Sequence, residues 1–178
     1  MSMRVMVTGG TGFTGSHTVR RFLAAGHSVR LLVRDPDKVR RVFDPLDIGF
    51  SDSDVIVGDI TDEGSVTRAM QGCDAVYHGA ALVDMRRSMA QRVLETNGRG
   101  VELVVGGAHR RGLPSIVYVS SVSVFFAPGC GPIRLDMPIA KPTTAYGASK
   151  AQGELEVRRM QAEGAPIRVS YPAAIVGP

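Results

Sequence analysis

Six short runs of aliphatic and β-branched residues, separated by stretches of helical periodicity, restrict this chain more than any other feature. The runs lie at Met3–Thr8, Ser28–Val33, Asp54–Val57, Asp74–His78, Ser115–Ser120 and Pro166–Ser170. Helical patterns between them cover Gly12–Ala25 (closed by Gly26), Pro36–Phe43, Thr61–Gln71, Met85–Arg111 and Thr144–Glu163. Strands that are apolar on both sides and alternate with helices predict an α/β fold, an open parallel sheet with helices on both faces. Pro36 suits a first helical turn, Thr61 reads as the cap of the third helix, and Gly98 and Gly100 weaken the fourth pattern. Ala127–Pro142, with four prolines and two glycines, reads as one long loop. A chain of 178 residues with 44% hydrophobic content can bury one core, so a single domain is expected over residues 1–178.

Bulk properties exclude several function classes. No apolar run approaches the roughly eighteen residues of a membrane span, so no membrane partner is expected. Met1–Arg4 leads directly into a strand, without the apolar region or cleavage site of a signal peptide. Cys73 and Cys130 show no Cys-x-x-Cys spacing and are expected as free thiols in a cytoplasmic protein. The net charge of +4 raises the question of nucleic acid. Of the 21 basic residues only Lys38, Lys141 and Lys150 are lysines, and the arginine pairs are spread from Arg20-Arg21 to Arg158-Arg159. They fall on or beside helical patterns with no interleaved aromatics, which indicates solvated helix faces and no nucleic-acid partner. The surplus charge does suit an anionic small ligand.

Two motifs carry chemistry. Thr8-Gly9-Gly10-Thr11-Gly12-Phe13-Thr14-Gly15 joins the first strand to the first helix. Glycines there permit a sharp turn and a close backbone approach to a pyrophosphate, which the free N–H groups of the helix N-terminus then hold. The second motif is Tyr146-x-x-x-Lys150 on the helix at Thr144–Glu163. Residues at i and i+4 share a helix face, so a phenol and an ammonium can address one reacting atom. A nearby cation favours the phenolate, and such a pair can exchange a proton with a hydroxyl or carbonyl. With four tyrosines and three lysines, a chance pair at this spacing is expected only about 0.07 times.

Gly9-x-x-Gly12-x-x-Gly15 together with Tyr146-x-x-x-Lys150 resembles the short-chain dehydrogenase/reductase superfamily. More narrowly, the chain resembles its extended branch, the NAD(P)-dependent epimerase/dehydratase and dihydroflavonol-reductase-like proteins. Further segments occur in that family's order: Gly58–Asp62, Val76–Ala81, Thr96–Gly100, Val117–Ser121 and Tyr171-Pro172 through Gly177-Pro178. The resemblance implies a doubly wound, Rossmann-like NAD(P)-binding domain. It also implies that the C-terminal substrate domain, which usually follows, is missing. Tyr171 departs from the pattern, since many relatives carry arginine before Pro172.

The same resemblance implies site roles. Cofactor contacts would come from Gly9, Gly12, Phe13, Thr14 and Gly15 in the turn, from Asp59 and Ile60 framing the adenine, and from Ala80, Ala81 and Pro172. Asn97 matches a helix asparagine near the active site. Ser121 would orient the substrate oxygen, Tyr146 would exchange the proton, and Lys150 would depress the Tyr146 pKa and hold the nicotinamide ribose. Ser120 and Ser123 compete with Ser121, because strand alternation would put Ser121 and Ser123 on one face. Turn formation is the local alternative for Asp59.

Charge decides the dinucleotide expected. NAD users usually place an acid after the second strand, whereas here Val33 is followed by Arg34. An arginine fork matches a 2′-phosphate, so NADP is favoured over NAD, although a one-residue shift would bring Asp35 to that position. The expected function is hydride transfer between a nicotinamide cofactor and a carbonyl or secondary alcohol of a small organic substrate. Two other readings are an NAD-dependent sugar-nucleotide epimerase or dehydratase, which uses the same residues, and a non-enzymatic dinucleotide-binding module, which would not need Ser121, Tyr146 and Lys150 together. A homodimer through the helices at Met85–Arg111 and Thr144–Glu163 is an assembly the resemblance allows.

Overall fold

Strand β1 (Arg4–Thr8) lies in the middle of a six-stranded, all-parallel sheet of order β3-β2-β1-β4-β5-β6. The computed structural model describes residues 2–126, 129, 131–134 and 136–176. Cys130 and the Gly177-Pro178 pair lie outside these, as does part of the loop expected at Ala127–Pro142. The other strands are β2 (Ser28–Val33), β3 (Val55–Val57), β4 (Ala75–His78), β5 (Ser115–Val119) and β6 (Ile167–Ser170). Chain order reverses between β1 and β4, so the loops after these two strands diverge and leave a crevice at their carboxyl ends.

Side-chain alternation along β1 explains why both faces must be covered. Val5 and Val7 join Val19, Leu31, Val39 and Phe43 in a core under α1 (Phe13–Ala24) and α2 (Asp37–Phe43). Met6 points the other way, into a core with Val66, Val104, Ile116, Tyr118 and Val157. That second core packs beneath α3 (Glu63–Met70), α4 (Ala90–Gly100), α5 (Gly107–Arg110) and α6 (Ala145–Ala162). Each such fully buried aliphatic side chain contributes about 1.5–3 kcal/mol of transfer free energy. Coverage is uneven, because Val117 and Val119 on β5 are only partly buried on the α1 side.

Three local expectations are corrected. Asp62, not Thr61, caps α3, its Oδ2 accepting from the Ser65 amide at 2.8 Å. Thr61 is instead turned onto Asp59. The pattern at Met85–Arg111 is interrupted less by Gly98 and Gly100 than by six residues of π-helix, Val101–Gly106, between α4 and α5. Gly100 allows a close approach, since a Cβ there would lie 2.8 Å from Ile60 Cδ1. Finally, β5 ends at Val119 and Val122–Phe125 forms a 3-10 turn, so strand alternation does not reach Ser123. Among the described residues no helix is long and apolar enough to cross a membrane.

Candidate active site

The glycine turn is shaped by contacts that admit no side chain. Gly9 has a φ of 74°, and a Cβ on it would meet the Ala80 amide nitrogen at 2.6 Å. A Cβ on Gly15 would lie 2.0 Å from the Gly9 carbonyl oxygen. The turn closes through Gly12 N–H donating to Gly9 O at 3.0 Å, and α1 starts after Gly12 with no side-chain cap. The first N–H groups of α1 are therefore left to an anion, with the positive end of the helix dipole behind them.

Two clefts open at the carboxyl ends of the strands. One, of about 250 Å³, is lined by Gly9, Thr11 and Gly12 from the turn, Val33, Arg34 and Lys38 beyond β2, and Asp59 and Ile60 beyond β3. The other, of about 480 Å³, is lined by Thr14, Gly15, Ser120, Ser121, Tyr146, Lys150 and Pro172, with Val83 and Ile175 at its side. Both share Gly79 and Ala81, so they are the two ends of one crevice folded over the switch point. Ala80 lines the first cleft; Phe13 lines neither, standing 44% exposed against the His17 ring.

At the first end, the side chains sort by charge. Arg34 and Lys38 line the cleft, whereas Asp35 is tied elsewhere. Its carboxylate accepts from Arg41 at 2.7 Å and from the Asp37 amide at 3.0 Å at the start of α2. Asp35 therefore does not line this cleft, whereas Arg34 does. Lys38, four residues beyond Arg34, was not among the expected cofactor contacts, and the turn into α2 brings it back to the cleft. Asp59 forms the turn weighed for it, its Oδ1 accepting from the Thr61 amide at 2.9 Å and hydroxyl at 2.8 Å, and it also lines the cleft.

At the second end, α6 and the turn after β5 converge. Thr144 caps α6 through the Gly147 amide at 3.1 Å, placing Tyr146 and Lys150 in its first two turns. Lys150 is 4% exposed; its Nζ donates to the Val119 carbonyl at 2.8 Å and sits 5.3 Å above the Tyr118 ring. Burial lowers its pKa to about 8, with Glu154 acting in the opposite direction. For Tyr146, burial raises the phenol above its ordinary value, and a hydrogen bond with Ser121 works against the rise. The expected depression by Lys150 is thus not met in this structure, where desolvation dominates and the ammonium is engaged by Val119. Ser121 caps the 3-10 turn, its Oγ accepting from the Ser123 amide at 3.2 Å, and faces the cleft. Ser123 does not line the cleft, and its buried Oγ has no hydrogen-bond partner among the described residues.

Asn97 supports this geometry from behind. Its Oδ1 accepts from the Leu82 amide at 2.7 Å, and its Nδ2 donates to Leu82 O at 3.0 Å and Ser149 Oγ at 2.8 Å. Ser149 in turn donates to the Tyr146 carbonyl at 2.7 Å, so α4 is stapled to the turn of α6 that carries Tyr146. Asn97→Ala removes three hydrogen bonds, one buried and two part-buried, and is expected to lower stability by about 1–3 kcal/mol, measured as a reduced urea midpoint with unchanged m-value.

Comparison with known proteins settles the lineage. A model of the NAD dependent epimerase/dehydratase family matches residues 5–178. The chain belongs to this family. Its relatives include reductases and epimerases. It is 32% identical over 178 residues to the 4-hydroxy-2-methyl-3-oxo-4-farnesyl-3,4-dihydroquinoline-1-oxide ketoreductase of Stigmatella aurantiaca, covering 98% of this chain and 51% of that one. It is 35% identical over 156 residues to UDP-glucose 4-epimerase of Neisseria meningitidis serogroup B, covering 85% of this chain and 46% of the epimerase. Among solved structures, the Bordetella bronchiseptica enzyme WbmG in complex with NAD and UDP superposes with a TM-score of 0.75 at 27% identity, over 97% of this chain and 52% of WbmG. The chain thus spans about half the length of the curated epimerase/dehydratase relatives it matches.

Proposed function

We propose that the chain supplies the cofactor-binding and proton-transfer half of an NADP-dependent oxidoreductase that acts on a carbonyl or secondary alcohol of a small organic substrate. The observation that carries this reading is the meeting of Ser121, Tyr146 and Lys150 in one cleft, continuous through Gly79 and Ala81 with the glycine turn. A nicotinamide dinucleotide fits the residues present. The turn around Gly9, Gly12 and Gly15 admits a pyrophosphate, Asp59 and Ile60 border the far end, and Lys150 and Pro172 border the near end. Bound there, the cofactor supplies the hydride. Tyr146 supplies or removes the proton at the substrate oxygen, and Ser121 holds that oxygen in line with the phenol. Lys150, charged below about pH 8, would hold the nicotinamide ribose as a cation, and that support falls away as pH rises through 8.

NADP over NAD rests on Arg34 and Lys38. Two cations at the adenosine end, with Asp35 engaged by Arg41, suit a 2′-phosphate, and the one acid lining that cleft among the described residues, Asp59, is tied through Oδ1 to Thr61. Fluorescence titration of NADPH and NADH against the wild-type chain and Arg34→Ala tests this. NADPH affinity is expected to fall about 10–100-fold with NADH affinity nearly unchanged, as loss of a charge-assisted contact worth about 1.5–3 kcal/mol requires. Equal losses for both cofactors would overturn the assignment. The 35% identity to a UDP-glucose 4-epimerase favours a second reading, sugar-nucleotide epimerisation with retained NAD. Protein that purifies with stoichiometric NAD and turns over without added cofactor would select it.

A further inference from the structure

Helix α6 carries a second buried charge that the proposed chemistry does not use. Tyr146, Lys150, Glu154 and Arg158 follow one another at intervals of four, so they form one stripe along the helix. Glu154 is completely buried, at 0% exposure, and lines neither end of the crevice. Its Oε1 accepts from the Tyr171 hydroxyl at 2.5 Å and from Arg158 Nε at 3.1 Å. Its Oε2 is buried with no hydrogen-bond partner among the described residues. A carboxylate in this setting demands a compensating cation. Arg158 meets that demand only in part, because its side chain is 36% exposed and solvent screens its charge. The other cation, one helical turn away, is the buried Lys150.

We propose that Glu154 is a positioning residue for proton transfer, a buried carboxylate that keeps Lys150 in its ammonium form while Tyr171 and Arg158 hold it in place. Glu154 does not reach the substrate side of α6, so it acts through Lys150. The significance of that charge rests on the oxidoreductase reading above; the electrostatic coupling itself does not.

The surroundings of Lys150 leave Glu154 without a rival. From β4 comes His78, which burial holds neutral, its pKa lowered to about 3. From β5 come the Tyr118 ring and the Val119 carbonyl. Tyr118, Tyr146 and Tyr171 are all shifted upward, each chiefly by burial, and stay neutral phenols near pH 7. Ser121 contributes a hydroxyl from the 3-10 turn, and Arg158 contributes a like charge from α6. Among the described residues, Glu154 is therefore the single acidic side chain facing Lys150. Its hydrogen bond to Tyr171 helps push that phenol up to about 12, so Tyr171 remains a proton donor to the carboxylate throughout the physiological range.

Because the chain has only three lysines, the coupling can be read directly. In the whole protein labelled with [ε-13C]lysine, the signal lost in Lys150→Arg identifies Lys150. In a pH titration followed by 13C NMR, the wild-type midpoint of Lys150 is expected near 8. In Glu154→Gln it should fall by about one unit or more while Lys38 and Lys141 stay in place as internal references. An unmoved Lys150 midpoint in folded Glu154→Gln would overturn the inference. The reciprocal measurement does not depend on that variant folding. In Lys150→Met labelled with [δ-13C]glutamate, one carboxyl midpoint should rise by about one unit, because coupling is mutual. If no carboxyl moves, the inference fails. Neither titration uses substrate or cofactor, so a failure of the oxidoreductase reading, seen in turnover assays, would leave both results standing.

Discussion

Tyr146→Phe is expected to reduce NADPH-dependent carbonyl turnover by about 10³-fold, the middle of the range for loss of a positioned general acid. The measurement is kcat on the best substrate from a panel of ketones and aldehydes, made with the whole protein that contains this chain. NADPH affinity should change by less than about threefold, because the phenol contributes little to a site built mainly from the glycine turn. The structural reason is specific. Tyr146 and Ser121 face one cleft, and the phenol, pushed upward by burial, is protonated at neutral pH and ready to donate. Phenylalanine keeps the ring and removes only the hydroxyl, with its transferable proton and its hydrogen bond to Ser121. Wild-type turnover in Tyr146→Phe would exclude this residue as the acid and with it the proposed mechanism.

Gly15→Ala should act on the fold and the cofactor site together. The added methyl would sit 2.0 Å from the Gly9 carbonyl oxygen and 2.9 Å from Gly10 Cα, both backbone atoms with no free end to swing aside. Either α1 withdraws from β1 or the turn opens, and each movement pulls the first-turn N–H groups away from the pyrophosphate position. Overpacking of this kind costs about 1–3 kcal/mol. The expected result is a lower thermal midpoint and loss of measurable NADPH binding at concentrations that saturate the wild type. Gly26→Ala is the contrast. At φ 80° it strains the backbone where no neighbour lies within 4 Å, so stability falls while cofactor binding survives. If Gly15→Ala bound NADPH as the wild type does, the turn would not be the phosphate site.

How much of this was legible beforehand differs between elements for identifiable reasons. Strand β2 was read at its full span, Ser28–Val33, because its aliphatic run is bounded by His27 and Arg34. Helix α6 was read within one residue at each end, since Thr144 signals a cap and Gly164 a stop. The cap of α3 was misplaced because Thr61 and Asp62 are both competent, and only the Asx turn at Asp59 removes Thr61 from the choice. The π-helical segment left no readable signature, as it depends on how α4 packs rather than on its composition.

The sequence by itself determined the parallel sheet, the phosphate turn and the Tyr146–Lys150 spacing. These depend on periodicity, on glycine's missing Cβ and on helical pitch, all of which are local. Only the tertiary structure decided which charges matter. Asp35 and Arg34 are neighbours in the chain, yet the start of α2 and Arg41 take one away from the cleft and leave the other in it. Spacing alone would make Lys150 and Glu154 an ordinary i,i+4 pair on a solvated face. Burial beneath β5 and Tyr171 takes both out of water instead, and the dielectric around a charge is set by everything packed against it and not by its own helix.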